Sequence, residues 1–121
     1  MSVSTEVYQR PVDLAHLARY TGGDAALNAE ILGLFQTQCS DLVVQLQSAL
    51  DKADAKSWHD IGHSLKGAAR GIGAFAFADV AAEIEALDLG ANPQKARTLL
   101  SNLNEQARTV RLFIEAYLSP R

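Results

Sequence analysis

Apolar residues recur three and four apart along nearly the whole chain, and nowhere do they alternate with a period of two over a useful length. This is the spacing of amphipathic helices, and it leaves no strand from which to build a sheet. The chain must bury its apolar surface helix against helix. From Ala25 to about Leu50 the stripe is Leu27, Ile31, Leu34, Phe35, Leu42, Val43, Leu46 and Leu50. From about Ala55 to Arg70 it is Trp58, Ile61, Leu65 and Ala68, with Ile72 continuing the register. A further stripe holds Phe77, Val80, Ala81, Ile84 and Leu87 and stops near Asp88-Leu89-Gly90. The last carries Ala96, Leu99, Leu100, Leu103, Ala107, Val110, Ile114 and Tyr117, and Ser119-Pro120 ends it.

Punctuation between the stripes sets the helix ends. Pro11 suits the first turn of a short helix with Leu14, Leu17 and Ala18 facing inward. Gly22 and Gly23 end that helix, and Asp24 caps the next. Gly33 lies inside the second helix at a cost of about 1 kcal/mol relative to alanine. Asp54 or Ser57 caps the third helix, and Gly71 and Gly73 end it. Asn92-Pro93 is a cap followed by proline at the first helical position. Short turns make successive helices antiparallel neighbours. The expected fold is therefore all-α: an antiparallel up-down four-helix bundle, with an additional short N-terminal helix as a lid or flank. Residues 1–10 read as a flexible N-terminus, and 11–119 as one helical bundle domain.

Composition narrows the function. The hydrophobic content of 48% and charged content of 21% are those of a globular chain. A net charge of -3 with no basic patch argues against a nucleic-acid partner. The start, Met-Ser-Val-Ser-Thr-Glu, has no apolar core and no basic lead, so it does not read as a secretory signal. No apolar run approaches the roughly 18 residues of a membrane span. Cys39 is alone, which excludes an internal disulfide and a cysteine-based metal site, and it reads as a small buried hydrophobe. A cytoplasmic setting is expected.

One helix carries chemistry on the side away from its apolar stripe. His59, His63, Lys66 and Arg70 follow one another at offsets of four, three and four. Gly67 lies one turn beyond His63, although glycine is unfavourable inside a helix. Neutral imidazole is a nucleophile near neutral pH.

His63-Ser64-Leu65-Lys66-Gly67, continuing to Gly73, resembles the H-x-L-K-G...G signature of histidine-containing phosphotransfer domains. Asp13, Leu14, the Gly-Gly-Asp turn, Phe35 and Glu85 are similar to the pattern of that family. The resemblance implies a phosphocarrier of a multistep two-component phosphorelay. It would accept a phosphoryl group on His63 from a receiver-domain phosphoaspartate and pass it to, or drain it from, another receiver. It implies no ATP site and no kinase activity, and no cofactor of its own, the magnesium being supplied by the receiver. Partners would be receiver domains of a hybrid sensor kinase or a response regulator, with no nucleic acid, no membrane and a monomeric state.

On this reading Lys66 gives electrostatic assistance, and Gly67 clears the approach of the incoming domain. Glu85, by family position, would accept a hydrogen bond from the second imidazole nitrogen. Arg70 departs from the small residue expected there; it would add a cation or a contact choosing among receivers. His59 would tune local charge or lie on the docking surface. Ala68, Gly71 and Phe75 are candidates for partner binding, with Phe75 either packed on the bundle end or part of an exposed patch. His16 reads as an ordinary surface histidine.

Other functions fit less well. His59 and His63 at i and i+4 suit a metal-binding bundle, but the zinc-protease pattern wants glutamate where Asp60 stands. The Glu-x-x-His units of di-iron bundles are absent. A sensor-kinase phosphoacceptor domain would have an acidic residue in place of Ser64 and a proline soon after. Gly71-Ile72-Gly73 follows no strand and is no phosphate loop. The alternatives are therefore a metal-binding four-helix bundle or a non-catalytic adaptor that keeps the bundle for binding alone, the latter opposed by the presence of His63.

Overall fold

Residues 10–119 are described by a computed structural model, in which five helices and no strand are present among the described residues. They are α1 (Leu14–Thr21), α2 (Ala25–Asp51), α3 (Ala55–Ile72), α4 (Phe75–Ala86) and α5 (Pro93–Leu118). α2 to α5 form the up-down bundle, each packed on its chain neighbours, with α5 returning against α2. The short α1 lies against α2 and α3. Residues 1–9, most of the expected flexible N-terminus, and residues 120–121, with the expected stop at Pro120, lie outside the described residues.

Three aspartates start three helices. Asp13, Asp24 and Asp54 accept from the backbone N–H groups of His16, Leu27 and Ser57 at 3.1, 3.0 and 3.1 Å. Each such cap contributes about 1 kcal/mol. Asp13 therefore starts α1, and Pro11 stands before it rather than in its first turn. Asn92 holds the cap position of α5, with Pro93 in the first turn as expected, but its side chain donates to the Asp88 carbonyl at 3.2 Å and does not cap the helix. At the other end of α3, Gly71 remains helical and Gly73 is the stop, in the left-handed region at φ 80°. A Cβ on Gly73 would also meet the Asp13 carbonyl oxygen at 2.7 Å. Asp13 N–H donates to the Gly73 carbonyl at 3.0 Å, tying the entry of α1 to the exit of α3.

The core is filled by Trp58, Phe77, Leu17, Leu32, Leu46, Leu65, Ile84, Leu103 and Ile114. Each fully buried large apolar side chain contributes roughly 1.5–3 kcal/mol. The stripe of α2 differs from expectation. Leu27 and Leu34 are exposed, Ile31, Leu42, Val43 and Leu50 are half-buried, and Leu32, Cys39 and Ala49 join Phe35 and Leu46 inside. Among the described residues α2 packs against α1, α3 and α5, which leave Leu27 and Leu34 exposed. On α3, Ile61 and Ala68 are half-buried, while Gly62 and Ala69 take the buried places beside Trp58, Leu65 and Ile72. The physical reason is the approach of α4: a Cβ on Gly62 would stand 2.9 Å from the Glu85 backbone nitrogen. The buried indole of Trp58 donates to the Ile84 carbonyl at 2.9 Å on the same stretch of α4.

These two glycines of α3 are opposites, since a Cβ on Gly67 would meet nothing within 4 Å. Gly62→Ala should destabilise the fold by about 1–3 kcal/mol, because backbone cannot yield as a flexible side chain does. Gly67→Ala should stabilise it by up to about 1 kcal/mol through helix propensity. Equilibrium chemical denaturation of the two variants checks the opposite signs.

Candidate functional site

α3 presents His59, His63, Gly67 and Arg70 along one exposed strip with Lys66 half-buried among them, and the close crossing at Gly62 brings the last turn of α4 beside it. Glu85, in that last turn, is the meeting point. Its Oε2 lies 2.8 Å from Nδ1 of His63, and its Oε1 pairs with Nζ of Lys66. The Glu85 side chain is only 17% exposed and that of Lys66 22%, whereas His63 is 68% exposed. The anchor is thus sheltered and the imidazole it holds stands in solvent.

The charge on Glu85 fixes the tautomer of His63. The hydrogen bond from Lys66, and after it the one from His63, hold the Glu85 carboxyl below its ordinary value of 4.5. An ionised carboxylate only accepts hydrogen bonds, so the proton between the two groups belongs to Nδ1. In the neutral ring this leaves the lone pair on Nε2, the outward nitrogen. The site offers an oriented, exposed nitrogen nucleophile with its counter-charge already in place behind it.

His59 is exposed, and its Nδ1 lies 2.8 Å from the Glu85 backbone carbonyl. Arg70 is exposed and makes no ion pair among the described residues. Gly67, Ala68 and Gly71 form one side of an apolar groove of about 310 Å³. Leu17 and Tyr20 of α1 and Ile31, Leu34, Phe35 and Gln38 of α2, with Ile72, line the rest, Leu34 being 65% exposed. Phe75 is partly exposed but does not line that groove; its ring meets the edge of His16 at 5.1 Å. His16 is accordingly no simple surface residue: its ring also meets Tyr20 at 5.6 Å, and its Nε2 is buried. Cys39 is buried as expected, and burial pushes its thiol up to about 11, far from a reactive thiolate. No group of three or more His, Cys, Asp or Glu side chains suited to a metal ion occurs among the described residues. No described helix is long and apolar enough to cross a membrane.

Gly62 and the contact between His59 and the Glu85 carbonyl are what the sequence reading missed. Gly62 did carry a signal, since an interior helix glycine costs about 1 kcal/mol and asks for a reason. The His59 contact joins residues 26 apart and has no local signature.

The linkage to pH has a definite sign. Glu85 is held below its ordinary value in the folded chain. Its interactions therefore contribute stability above the unfolded value of 4.5 and lose it as pH falls through the lower folded value. Lys66→Met should raise the Glu85 midpoint toward 4.5 and flatten the acid loss of stability. A carbon-detected NMR titration of the carboxyl, with denaturation at two acid pH values, checks both.

No curated protein matches the chain. The crystal structure of histidine-containing phosphotransfer protein B from Pseudomonas aeruginosa PAO1 superposes with a TM-score of 0.77 at 22% sequence identity. The match covers 88% of this chain and 92% of that one, and at this identity it shows a shared fold. The family model of the Hpt domain matches residues 30–113, which span α3, α4 and most of α2 and α5. With the matched region taking in most of its length, the chain belongs to the Hpt domain family, whose members are phosphocarriers of two-component phosphorelays.

Proposed function

We propose that this protein carries a phosphoryl group on Nε2 of His63, received from the phosphoaspartate of one receiver domain and handed to the aspartate of another. The observation that carries the reading is the contact of Glu85 with Nδ1, which leaves Nε2 outward on an exposed ring. In the transfer, the Nε2 lone pair forms a bond to phosphorus as the acyl phosphate P–O bond breaks, and the aspartate leaves as carboxylate. The ring becomes cationic while Nδ1 keeps its proton. Glu85 lies against that proton and stabilises the charge as it develops. Lys66 is a turn from His63 and places a second cation near the incoming phosphoryl oxygens. Transfer back to a receiver reverses these bonds.

The chemistry needs little else from this chain, since in-line phosphoryl transfer depends chiefly on positioning. The receiver brings the aspartate and the magnesium ion. The carrier contributes no ATP site and acts as a cytoplasmic monomer without nucleic-acid or membrane partners. The open space at Gly67 admits the receiver backbone, and the groove floored by Gly67, Ala68 and Gly71 receives an apolar element of its docking face. An exposed apolar patch of this kind marks a partner surface. Arg70, next to that floor and without an ion pair among the described residues, selects receivers that set a carboxylate opposite it.

Mixing the protein with a phosphorylated receiver should produce an acid-labile adduct, absent in His63→Gln. Persistent labelling of that variant would overturn the assignment. Gly67→Gln should slow transfer from the receiver by roughly tenfold or more, since misplacing the reacting atoms by about 1 Å costs on the order of a hundredfold. It should leave labelling by a small-molecule donor, phosphoramidate, unchanged. Equal slowing with both donors would place the defect in His63 itself and not in docking.

A further inference from the structure

His59 belongs to no step described so far, yet its contact is specific. Its Nδ1 lies 2.8 Å from the backbone carbonyl oxygen of Glu85. A carbonyl only accepts, so this nitrogen must carry the proton and donate. Glu85 stands one residue before the end of α4, where the helix has no further N–H to offer its carbonyls. On the preceding residue, the Ile84 carbonyl accepts from the Trp58 indole at 2.9 Å. One turn further along α3, Gly62 brings the Glu85 backbone nitrogen within 2.9 Å of where a Cβ would sit. Three residues of α3 thus grip the main chain of Ile84 and Glu85, while His63 and Lys66 on the same helix take the Glu85 carboxylate.

We infer that His59 is a positioning residue for His63, acting through the backbone of Glu85; the inference rests on His63 being the phosphoacceptor. By satisfying the Glu85 carbonyl, His59 keeps the last turn of α4 wound and the Glu85 carboxylate aimed at Nδ1 of His63. Without it the turn frays, the carboxylate spends less time on Nδ1, and His63 populates the other neutral tautomer. That tautomer carries its proton on Nε2 and has no lone pair there to attack phosphorus. The strip of two histidines is therefore a relay of position: His59 holds the chain that holds the acceptor.

The test compares His59→Ala with His59→Asn in the whole chain. The side-chain amide nitrogen of asparagine is as many bonds from Cα as Nδ1 of histidine, so it can donate to the same carbonyl. Long-range proton–nitrogen NMR of the unphosphorylated proteins reads the tautomer of His63, and phosphoramidate labelling reads its reactivity. In His59→Ala the fraction of Nδ1–H tautomer should fall and labelling should slow roughly two- to tenfold, the rate equivalent of one neutral hydrogen bond. In His59→Asn both should return to within about twofold of the parent. Unchanged tautomer and rate in His59→Ala, or equal loss in both variants, would overturn the inference. If the parent protein is not labelled at all, the phosphoacceptor reading fails, and the tautomer ratio, which needs no donor, still decides the role of His59.

Discussion

Glu85 stands between His63 and Lys66, one carboxylate oxygen 2.8 Å from Nδ1 of the imidazole and the other on the ammonium. Much of the local structure of α3 and α4 keeps it there. Lys66 keeps the carboxylate ionised, the ionised carboxylate holds the proton on Nδ1, and the held proton leaves Nε2 free and outward. Each of these depends on the carboxylate being within hydrogen-bond reach, which a surface glutamate on a loose turn would not maintain. The 17% exposure of Glu85 against 68% for His63 expresses the division of labour: a sheltered anchor and a presented nucleophile.

The bundle supplies the rigidity. α3 and α4 approach closely because Gly62 has no side chain, and the Trp58 indole locks the same crossing from within the core. Gly67, five residues later on the same helix, faces open space. One helix thus uses one glycine to bring its neighbour in and another to keep its outer face clear. The apolar groove runs between Leu17 and Tyr20 of α1, Ile31 and Leu34 of α2 and the small residues Gly67, Ala68 and Gly71 of α3, which follow His63 on the same helix.

Much of this was legible in the sequence. Helical periodicity gave the all-α bundle and the five helices, and Asp24, Asp54, Gly73 and Asn92-Pro93 marked boundaries within a residue or two of those observed. Resemblance to a family pattern, more than spacing, pointed to His63, Lys66 and Glu85 as a group, and their contacts in the fold are consistent with it. What periodicity could not give was which neighbour each stripe meets. Ile61 and Ala68 fit the apolar register of α3, but α4 packs one residue round, on Gly62, and Ala69 is buried in place of Ala68. Leu27 and Leu34 fit the register of α2, but among the described residues no helix buries them. His16 looked like a surface residue because nothing local shows that Phe75, far along the chain, comes to meet its ring. The role of Glu85 as the centre of the site is likewise a tertiary fact, since it joins residues about 20 positions apart.

The central claim is that the phosphoryl group resides on Nε2 of His63 while Glu85 keeps the proton on Nδ1. Nitrogen-15 and phosphorus-31 NMR of the phosphorylated, isotope-labelled protein reads both nitrogens directly. Phosphorus coupling at Nε2, with a proton retained on Nδ1, is the result the account predicts. Phosphorus on Nδ1, or on any residue other than His63, would contradict it.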